Sequence, residues 1–156
     1  ELDREMISSI SRLHVPYIIM HMRGNPSDMQ ENPHYQNITD ELIQYFSTKV
    51  HELHSHGIND VLLDPGFGFG KTMEHNYELM ANMTSFQLFE LPIVAGVSRK
   101  SMIYNLLNTD SQHALNGTTA AHMMLLDKGV NILRVHDVKE AKEVVTIYCE
   151  AKRIHD

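Results

Sequence analysis

Four short apolar runs, separated by longer segments with helical patterning, constrain the fold of this chain more than any other feature. Each run is nearly continuously apolar rather than strictly alternating, which is typical of strands buried on both faces of a parallel sheet. The runs span residues 15–20, 60–63, 91–97 and 131–135. Because parallel neighbours need a crossover between them, we expect an α/β protein built from repeated strand–helix units.

Segments with apolar residues three and four positions apart lie between these runs. The predicted helices cover the first residues through Leu13, then residues 38–56, 76–89 and 111–128, and finally the segment after Asp137. Gly57 and Gly129 are expected to end two of these helices, and Asp137 is expected to cap the start of the last one. The order α-β-α-β-α-β-α-β-α predicts one continuous unit over residues 1–156.

The size of the repeating unit limits the architecture. Strand–helix units of this length suit either an open doubly wound sheet or a (β/α)8 barrel, and a complete barrel needs about 250 residues. This chain has 156 residues and four candidate strands. If the architecture is a barrel, the chain supplies half of it.

Composition and charge argue against several classes of function. The 13 Lys and Arg residues against 20 Asp and Glu residues give a formal net charge of −7, which disfavours binding to nucleic acid phosphates. No apolar stretch approaches the roughly 18 to 20 residues of a membrane span, and the charged start is unlike a signal peptide. The single cysteine, Cys149, excludes an internal disulfide and a cysteine-based zinc site. We therefore expect a cytoplasmic protein with no nucleic-acid and no membrane partner.

Polar and glycine-rich segments follow the predicted strands at their carboxyl ends, which is where parallel α/β proteins bind ligands. They span residues 20–26, 64–72, 96–101 and 134–138. Asp64 directly follows an apolar run, and a partly buried carboxylate requires hydrogen-bond donors. A heterocycle with paired N–H groups would supply them; capping a turn or pairing with a neighbouring strand is an equally good interpretation.

The glycine-rich loop after Asp64 matches neither of two nucleotide-binding fingerprints, because its spacing fails both the dinucleotide and the phosphate-loop patterns. Its three glycines allow the backbone to approach a ligand closely. Phe67 and Phe69 are expected to be exposed on this loop. Phe69 is a candidate to pack on an aromatic substrate ring; the alternative is that both rings fold back onto the sheet.

Cationic side chains follow the last two predicted strands. The sequence Ser-Arg-Lys-Ser at residues 98–101 can hold an anion or a carbonyl oxygen, or form a Schiff base through Lys100, although an isolated turn of this kind is more often solvated. Arg134 and His136 alternate along one strand, so they are expected to point together into the interior. With Lys100 they predict a phosphate or pyrophosphate site.

A structural role for Arg134 and His136 is the competing interpretation, because ion-pair networks also place charges inside proteins. The acids that would pair with them are Asp64, Asp137 and Glu140. A metal site is not predicted, since no histidine or paired-carboxylate spacing accompanies His21.

In combination, these segments resemble dihydropteroate synthases. The matching motifs are MHMRGNP at residues 20–26, DPGFGFGK at 64–71, SRKS at 98–101 and RVHDV at 134–138. They occur in the family's order and near its spacing over essentially the whole chain, whereas each motif alone is weak evidence. The resemblance implies the C-terminal half of a (β/α)8 TIM barrel, with four parallel strands and flanking helices.

The resemblance also implies an activity. Dihydropteroate synthases are transferases that join 6-hydroxymethyl-7,8-dihydropterin pyrophosphate to 4-aminobenzoate, releasing pyrophosphate and forming 7,8-dihydropteroate for folate synthesis. They are the targets of sulfonamides and are typically homodimers. A carboxylate near the pterin would stabilise the cationic methylene that forms as pyrophosphate leaves, and cationic side chains would stabilise the leaving group.

Position by position, the resemblance assigns pterin binding to Met20, Asp64, Gly96, Lys100 and Arg134. Asp64 would bind the pyrimidine edge of the pterin, and Met20 and Gly96 would line the cleft. Lys100 would lie between the pterin and the aminobenzoate pocket. Arg134 would form the floor of the pterin site and face the phosphates.

The second substrate and the leaving group are assigned in the same way. Phe69 and Ser98 would line the aminobenzoate side, and Arg134 and His136 would bind pyrophosphate. The residues expected to carry catalysis are Asp64, Lys100, Arg134 and His136.

The first half of the family's barrel has no counterpart in this sequence. That half begins with an NxTPDSF-like strand and loop that carries the Mg²⁺–pyrophosphate contact, so we expect Mg²⁺ to require it and assign no metal ligand here. The half-barrel is expected to be inactive, or nearly so, by itself. Three alternatives stay open: a non-catalytic half-barrel that binds pterin or phosphate, a pterin-dependent methyltransferase domain and, less well supported, a Schiff-base aldolase.

Overall fold

The computed structural model describes residues 5–24 and 33–154, so Asn25 and Pro26 of the first predicted motif lie outside the described residues. Helices and short strands alternate along the chain, as the sequence predicts. The elements are α1 Met6–Leu13, β1 Tyr17–Met20, α2 Ile38–Ser55, β2 Val61–Asp64, α3 Met73–Ala81, a 3₁₀ helix Met83–Phe89, β3 Val94–Ala95, α4 Ser101–Tyr104, α5 Leu115–Asp127, β4 Ile132–Leu133 and α6 Val138–Arg153.

The four strands are parallel and lie side by side in chain order. β1 pairs with β2, with Met20 opposite Asp64, and β3 pairs with β4. A parallel bridge between Leu63 and Ile93 joins the two pairs. A doubly wound sheet reverses its strand order partway across, whereas a barrel does not. The described strands therefore form a barrel segment, which confirms the half-barrel prediction.

The two faces of the sheet differ in burial. On one face, Ile19, Leu63 and Ala95 join the side chains of α2, α3 and α5 in the hydrophobic core. On the other face, Ile18 is 49% exposed and Ile132 is 43% exposed. The prediction that the strands are buried on both faces is therefore wrong for β1 and β4, because the helices gather on the first face.

Local hydrogen bonds explain where two predicted helices differ from the structure. The Thr72 hydroxyl accepts a hydrogen bond from the His75 N–H in a capping box, so α3 begins before the predicted start at residue 76. The Asp110 carboxylate accepts hydrogen bonds from the N–H groups of Gln112 and His113. These bonds hold a turn where the sequence predicts the start of a long helix, and α5 begins only at Leu115.

Helix ends follow the sequence signals with one exception. Gly57 and Gly129 follow α2 and α5 with φ of +75° and +91°, which confirms them as stops. Asp137 precedes α6, but its side chain makes no capping hydrogen bond. Its carboxylate binds Arg99 instead, so the predicted cap is wrong.

Within residues 5–24 and 33–154, no helix has the length and apolar character needed to cross a lipid bilayer.

Candidate active site

Asp64 is a buried acid at the carboxyl end of β2, where its side chain is 4% exposed. One carboxylate oxygen, Oδ1, accepts a hydrogen bond of 2.8 Å from the Gly66 N–H. Burial raises the pKa of Asp64, and the Gly66 N–H and the positive charges of Arg134 and Lys100 oppose that rise. The structure thus shows the turn-capping interpretation for one oxygen, while the nearby cations limit the rise of the pKa that burial causes.

The glycine loop, defined here as residues 66–70, turns back tightly against the end of β1. Gly66 and Gly70 have φ of +68° and +63°, a left-handed conformation that side chains other than glycine disfavour. A Cβ at Gly66 would overlap the carbonyl oxygen of His21, and one at Gly70 would overlap that of Arg23. Close backbone approach therefore requires glycine at both positions.

The two phenylalanines of the glycine loop have different environments. Phe67 is fully buried in the core, so the prediction that it is exposed is wrong: the turns at the glycines direct its ring inward. Phe69 is only partly buried, and its ring centroid lies 4.5 Å from the Lys100 Nζ. Phe69 is therefore the aromatic side chain of the glycine loop that lies beside Lys100.

Lys100, which directly precedes α4, reaches across to the glycine loop. Its Nζ donates a hydrogen bond to the Phe67 carbonyl oxygen, and its stem lies 3.3 Å from where a Cβ at Gly68 would be. Burial, together with the nearby positive charge of Arg134, lowers the pKa of Lys100 to about 8, while Asp64 opposes the change. This amine can therefore carry or release a proton near neutral pH.

Arg134 follows β4 and extends over Gly96. Its backbone N–H donates to the Ala95 carbonyl oxygen at 2.8 Å, and its guanidinium Nη2 lies 2.6 Å from where a Cβ at position 96 would be. The side chain is exposed rather than buried, which corrects the expected inward burial. Within the part of the chain that the structure describes, Arg134 has no ion-pair partner, so its guanidinium is available to an anion.

His136 is also exposed, two residues beyond Arg134. Its backbone N–H donates a hydrogen bond of 3.3 Å to the hydroxyl of Ser98, which is buried. The predicted residues Ser98 and His136 are thus joined to each other, and Ser98 holds the backbone that carries the imidazole.

Arg99 stabilises loop structure, contrary to its interpretation as part of an anion-binding turn. Its Nε and Nη2 bind the two carboxylate oxygens of Asp137 at 2.8 and 2.9 Å. Its Nη1 donates to the carbonyl oxygens of Ser111 and Gln112. This pairing also occupies Asp137, one of the three acids that the ion-pair interpretation offered to Arg134 and His136. Arg99 therefore joins the loops that follow β3 and β4.

Sequence reasoning missed two buried polar residues beside the site, His21 and Lys71. The Lys71 amine lies 3.0 Å from the His21 Nδ1 and donates to the carbonyl oxygens of Gly66 and Phe69. The available signal was a lysine directly after a glycine-rich loop, which by itself is more typical of a solvated residue.

The predicted residues form two sets whose members contact or act on one another. One is built around Asp64, Lys100 and Arg134, and the other consists of Ser98 and His136. Asp64, Lys100 and Arg134 are close enough for their charges to act on one another. Met20 lies beside Asp64 in the strand register, and its Cγ is 3.4 Å from where a Cβ at Gly66 would be. The remaining predicted residues contact these three or each other, namely Phe69, Gly96, Ser98 and His136.

Over residues 5–24 and 33–154, no three acidic, histidine or cysteine side chains are grouped as a metal site requires.

Comparison with known proteins agrees with the geometry of the site. A family profile described as "Pterin binding enzyme" matches residues 1–136. The chain is 44% identical over 135 residues to the dihydropteroate synthase of Escherichia coli strain K12, covering 85% of this chain and 48% of that protein. It is 37% identical over 139 residues to the Haemophilus influenzae dihydropteroate synthase, covering 88% and 50% respectively. The chain thus spans about half the length of the curated relatives it matches.

Solved structures give the same result. A Yersinia pestis dihydropteroate synthase in a sulfonamide drug complex superposes with a TM-score of 0.92 at 39% identity, over 96% of this chain and 55% of that chain. A Thermus thermophilus dihydropteroate synthase in complex with 4-aminobenzoate superposes with a TM-score of 0.89 at 33% identity, over 94% and 60% respectively. The chain therefore belongs to the family of pterin-binding enzymes, and the relatives described above are dihydropteroate synthases.

Proposed function

We propose that this chain forms the C-terminal half of a dihydropteroate synthase barrel and carries the pterin site of that enzyme. The reaction joins 6-hydroxymethyl-7,8-dihydropterin pyrophosphate to 4-aminobenzoate, giving 7,8-dihydropteroate and pyrophosphate. The observation that carries the proposal is the buried Asp64 at a strand end, with the cationic side chains of Lys100 and Arg134 close by. A ligand with paired N–H groups and an anionic tail fits this combination of charges.

Asp64 and Arg134 would act on opposite charges during the reaction. The bond between the pterin methylene and the pyrophosphate oxygen breaks, and its electron pair leaves with the pyrophosphate. The Asp64 carboxylate stabilises the cation that develops on the pterin. Arg134, whose guanidinium lies over Gly96, stabilises the charge on the leaving group together with His136. The aminobenzoate nitrogen then bonds to the methylene and loses a proton to solvent, with no covalent enzyme intermediate.

Phe69, Lys100 and Ser98 form the proposed aminobenzoate side. The Phe69 ring offers an apolar surface, and the Lys100 amine above it offers a cation to either substrate. Ser98 is buried and binds the His136 backbone, so its contribution is to position His136 as well as to line the pocket. The complex of the Thermus thermophilus relative with 4-aminobenzoate supports this substrate class.

The resemblance also implies Mg²⁺, homodimer formation and a cytoplasmic location, and we keep all three as proposals. The side chains in the described ranges do not form a cluster that fits Mg²⁺, so we assign it no ligand in this chain and no step above depends on it. The late helices α5 and α6 are the proposed dimer surface. The lone, exposed Cys149 is compatible with a reducing compartment.

Calorimetry with a non-hydrolysable analogue of the pterin pyrophosphate tests the proposed function. We expect Asp64→Asn to weaken analogue binding about a hundredfold, because the neutral amide loses the charge-assisted hydrogen bonds that a carboxylate gives the pterin N–H groups. Asp60→Asn is the matched control, since Asp60 is an exposed acid four residues earlier. Equal binding by Asp64→Asn and the unchanged chain would contradict the pterin site.

A turnover assay on the same samples separates the alternatives. A half-barrel by itself is expected to bind the analogue but not to convert the two substrates to product. Turnover comparable to that of a complete barrel would show that the half is sufficient. A methyltransferase domain has no need to recognise pyrophosphate. Equal affinity for analogues with and without the pyrophosphate would therefore favour that alternative over the synthase.

A further inference from the structure

Lys71 is a buried amine to which the mechanism above gives no role. It ends the DPGFGFGK motif directly after Gly70, and it is 3% exposed. Its Nζ lies 3.0 Å from the Gly66 carbonyl oxygen, 3.2 Å from that of Phe69 and 3.0 Å from the His21 Nδ1. One nitrogen atom therefore contacts both ends of the glycine loop and the residue that follows β1.

The carbonyl groups of the glycine loop explain why an amine is needed there. The Phe69 N–H donates to the Gly66 carbonyl oxygen at 3.1 Å, which closes the turn, and the Gly66 N–H is bonded to Asp64. Gly68 N–H donates to the Asn76 Oδ1 at 2.7 Å. Buried carbonyl oxygens need donors, and the Lys71 amine donates to the Phe69 carbonyl oxygen and adds a second hydrogen bond to that of Gly66.

Three charged side chains act on the pKa of the Lys71 amine, in addition to its burial. Burial lowers its pKa to about 7, Asp64 opposes the change, and Lys100 and Arg23 add to it. The neighbouring His21 has a pKa lowered to about 3, first by burial and then by the charges of Lys71 and Arg23. His21 therefore stays neutral near pH 7 and acts as a hydrogen-bond partner of the amine.

The glycine loop also determines the position of Lys100. The Phe67 carbonyl oxygen accepts the hydrogen bond from the Lys100 Nζ, and the Phe69 ring lies 4.5 Å from the same atom. Both groups belong to the turn that the Lys71 amine holds from inside. A shift of the turn would therefore move both contacts of Lys100 together.

We propose that Lys71 is a positioning residue of the site: its amine holds the glycine loop in the turn that places the Phe67 carbonyl and the Phe69 ring against Lys100. The inference rests on the proposed function only for what Lys100 then does with substrate. Lys71 itself faces the interior of the turn and touches the loop backbone and His21.

A pH titration of the Lys100 side chain, followed by NMR of its ε-carbon, tests the inference without substrate. In Lys71→Met the turn loses its two donors, Lys100 is released into water, and its pKa is expected to rise by at least about one unit, a tenfold change in proton affinity. Loss of the Lys71 charge contributes to this rise, because the two neighbouring amines repel one another. Lys71→Gln also lacks the charge but keeps N–H donors, so the difference between the two variants reports the loss of the turn. Lys139→Met, at an exposed lysine of α6, is the matched control and is expected to leave Lys100 unchanged.

The conservative variant Lys71→Arg keeps a cationic donor, so the pKa of Lys100 is expected to stay close to its value in the unchanged chain. If Lys71→Met does not fold, Lys71→Gln, which still donates N–H groups, is expected to give an intermediate shift. A Lys100 titration that is the same in Lys71→Met or Lys71→Gln as in the unchanged chain, or a rise as large in Lys71→Gln as in Lys71→Met, would overturn the inference. Binding of the pterin analogue by the unchanged chain is measured separately, so failure of the proposed function is distinguishable from failure of this inference.

Discussion

Two loops bring cationic or aromatic groups to the site, and each is held by a different cation. The glycine loop is held by the Lys71 amine, which is 3% exposed and contacts two carbonyl oxygens and a neutral imidazole. The loop after β3 is held by the Arg99 guanidinium, which is 24% exposed and binds the Asp137 carboxylate with two hydrogen bonds. Among the residues that the structure describes, the first cation has no acid partner in direct contact, whereas the second has one.

This difference determines how each loop responds to pH. Burial brings the pKa of Lys71 to about 7, so its charge changes near neutrality. A guanidinium does not lose its proton in proteins, and the hydrogen bonds from Arg99 lower the pKa of Asp137. The Arg99–Asp137 pair therefore weakens only as the solution becomes acidic enough to protonate the carboxylate. Lysine therefore suits the buried interior of the glycine loop, where it donates to carbonyl oxygens, and arginine suits the more exposed loop after β3, where it pairs with an acid.

The largest effect is expected from Phe67, which anchors the glycine loop in the core. Phe67→Ala removes a fully buried ring and is expected to lower the free energy of unfolding by about 3–5 kcal/mol in a urea titration. Phe69→Ala is the matched control in the same loop, and because its ring is only partly buried it is expected to cost about 1 kcal/mol. Equal losses in the two variants would contradict the assignment of Phe67 as the ring that anchors this loop in the core.

The pH dependence of stability distinguishes the two cations directly. Because the pKa of Lys71 is lowered in the folded state, the unfolded chain binds more protons between pH 7 and 10, so stability rises with pH in that window. In Lys71→Met we expect the free energy of unfolding to rise less steeply with pH, by roughly 1 kcal/mol per pH unit. Urea unfolding at each pH measures this slope. Lys100 adds a rise of the same sign from about pH 8, and this part is expected to shrink as well in Lys71→Met, because the pKa of Lys100 moves towards its unfolded value there.

Lys139→Met is the control for this experiment, since Lys139 is exposed. A slope that is identical in Lys71→Met and in the control would mean that the Lys71 amine is no less basic in the folded chain than in the unfolded one. The comparison between the two cations would then fail.

The smallest effect is expected from Arg99→Lys. The variant keeps the positive charge but loses the two-point contact with Asp137, so the loops that carry Lys100 and His136 are joined less firmly. We expect binding of the pyrophosphate-bearing analogue to weaken about threefold by calorimetry, equally at pH 6.5 and 8.5. Arg153→Lys is the matched control, because Arg153 forms a local, exposed ion pair with Glu150 on α6. A loss that differs between the two pH values would contradict the assignment of Arg99 as the pH-independent cation.

Features with short-range causes were predicted well from the sequence. Helix α2 spans Ile38–Ser55 where residues 38–56 were predicted, because an Asn37 cap, an apolar stripe and Gly57 all lie within it or next to it. The strand order was also predictable, since consecutive parallel strands joined by helices tend to be neighbours. The motifs placed Asp64, Lys100 and Arg134 correctly at strand ends, although the assignment of substrates to these side chains stays a prediction.

Features that depend on partners distant in the sequence were predicted poorly. Asp137 looks like a helix cap locally, but its partner Arg99 lies 38 residues away. Phe67 and Phe69 have similar neighbours in the sequence, and only the turns of the glycine loop direct one ring inward. Lys71 looks solvated until the loop carbonyl groups converge on it. In each case the chain pattern fixes the residue type but not the direction in which the side chain points.

The side-by-side order of the strands has a consequence for how the site is assembled during synthesis. The loop of the second strand is completed by Lys100 from the third unit, and Gly96 in the third unit is covered by Arg134 from the fourth. Each unit is therefore finished by the one made after it. A ribosome would release the acid first and the guanidinium last, so Asp64 and Arg134 come together only when nearly all of these strands have emerged.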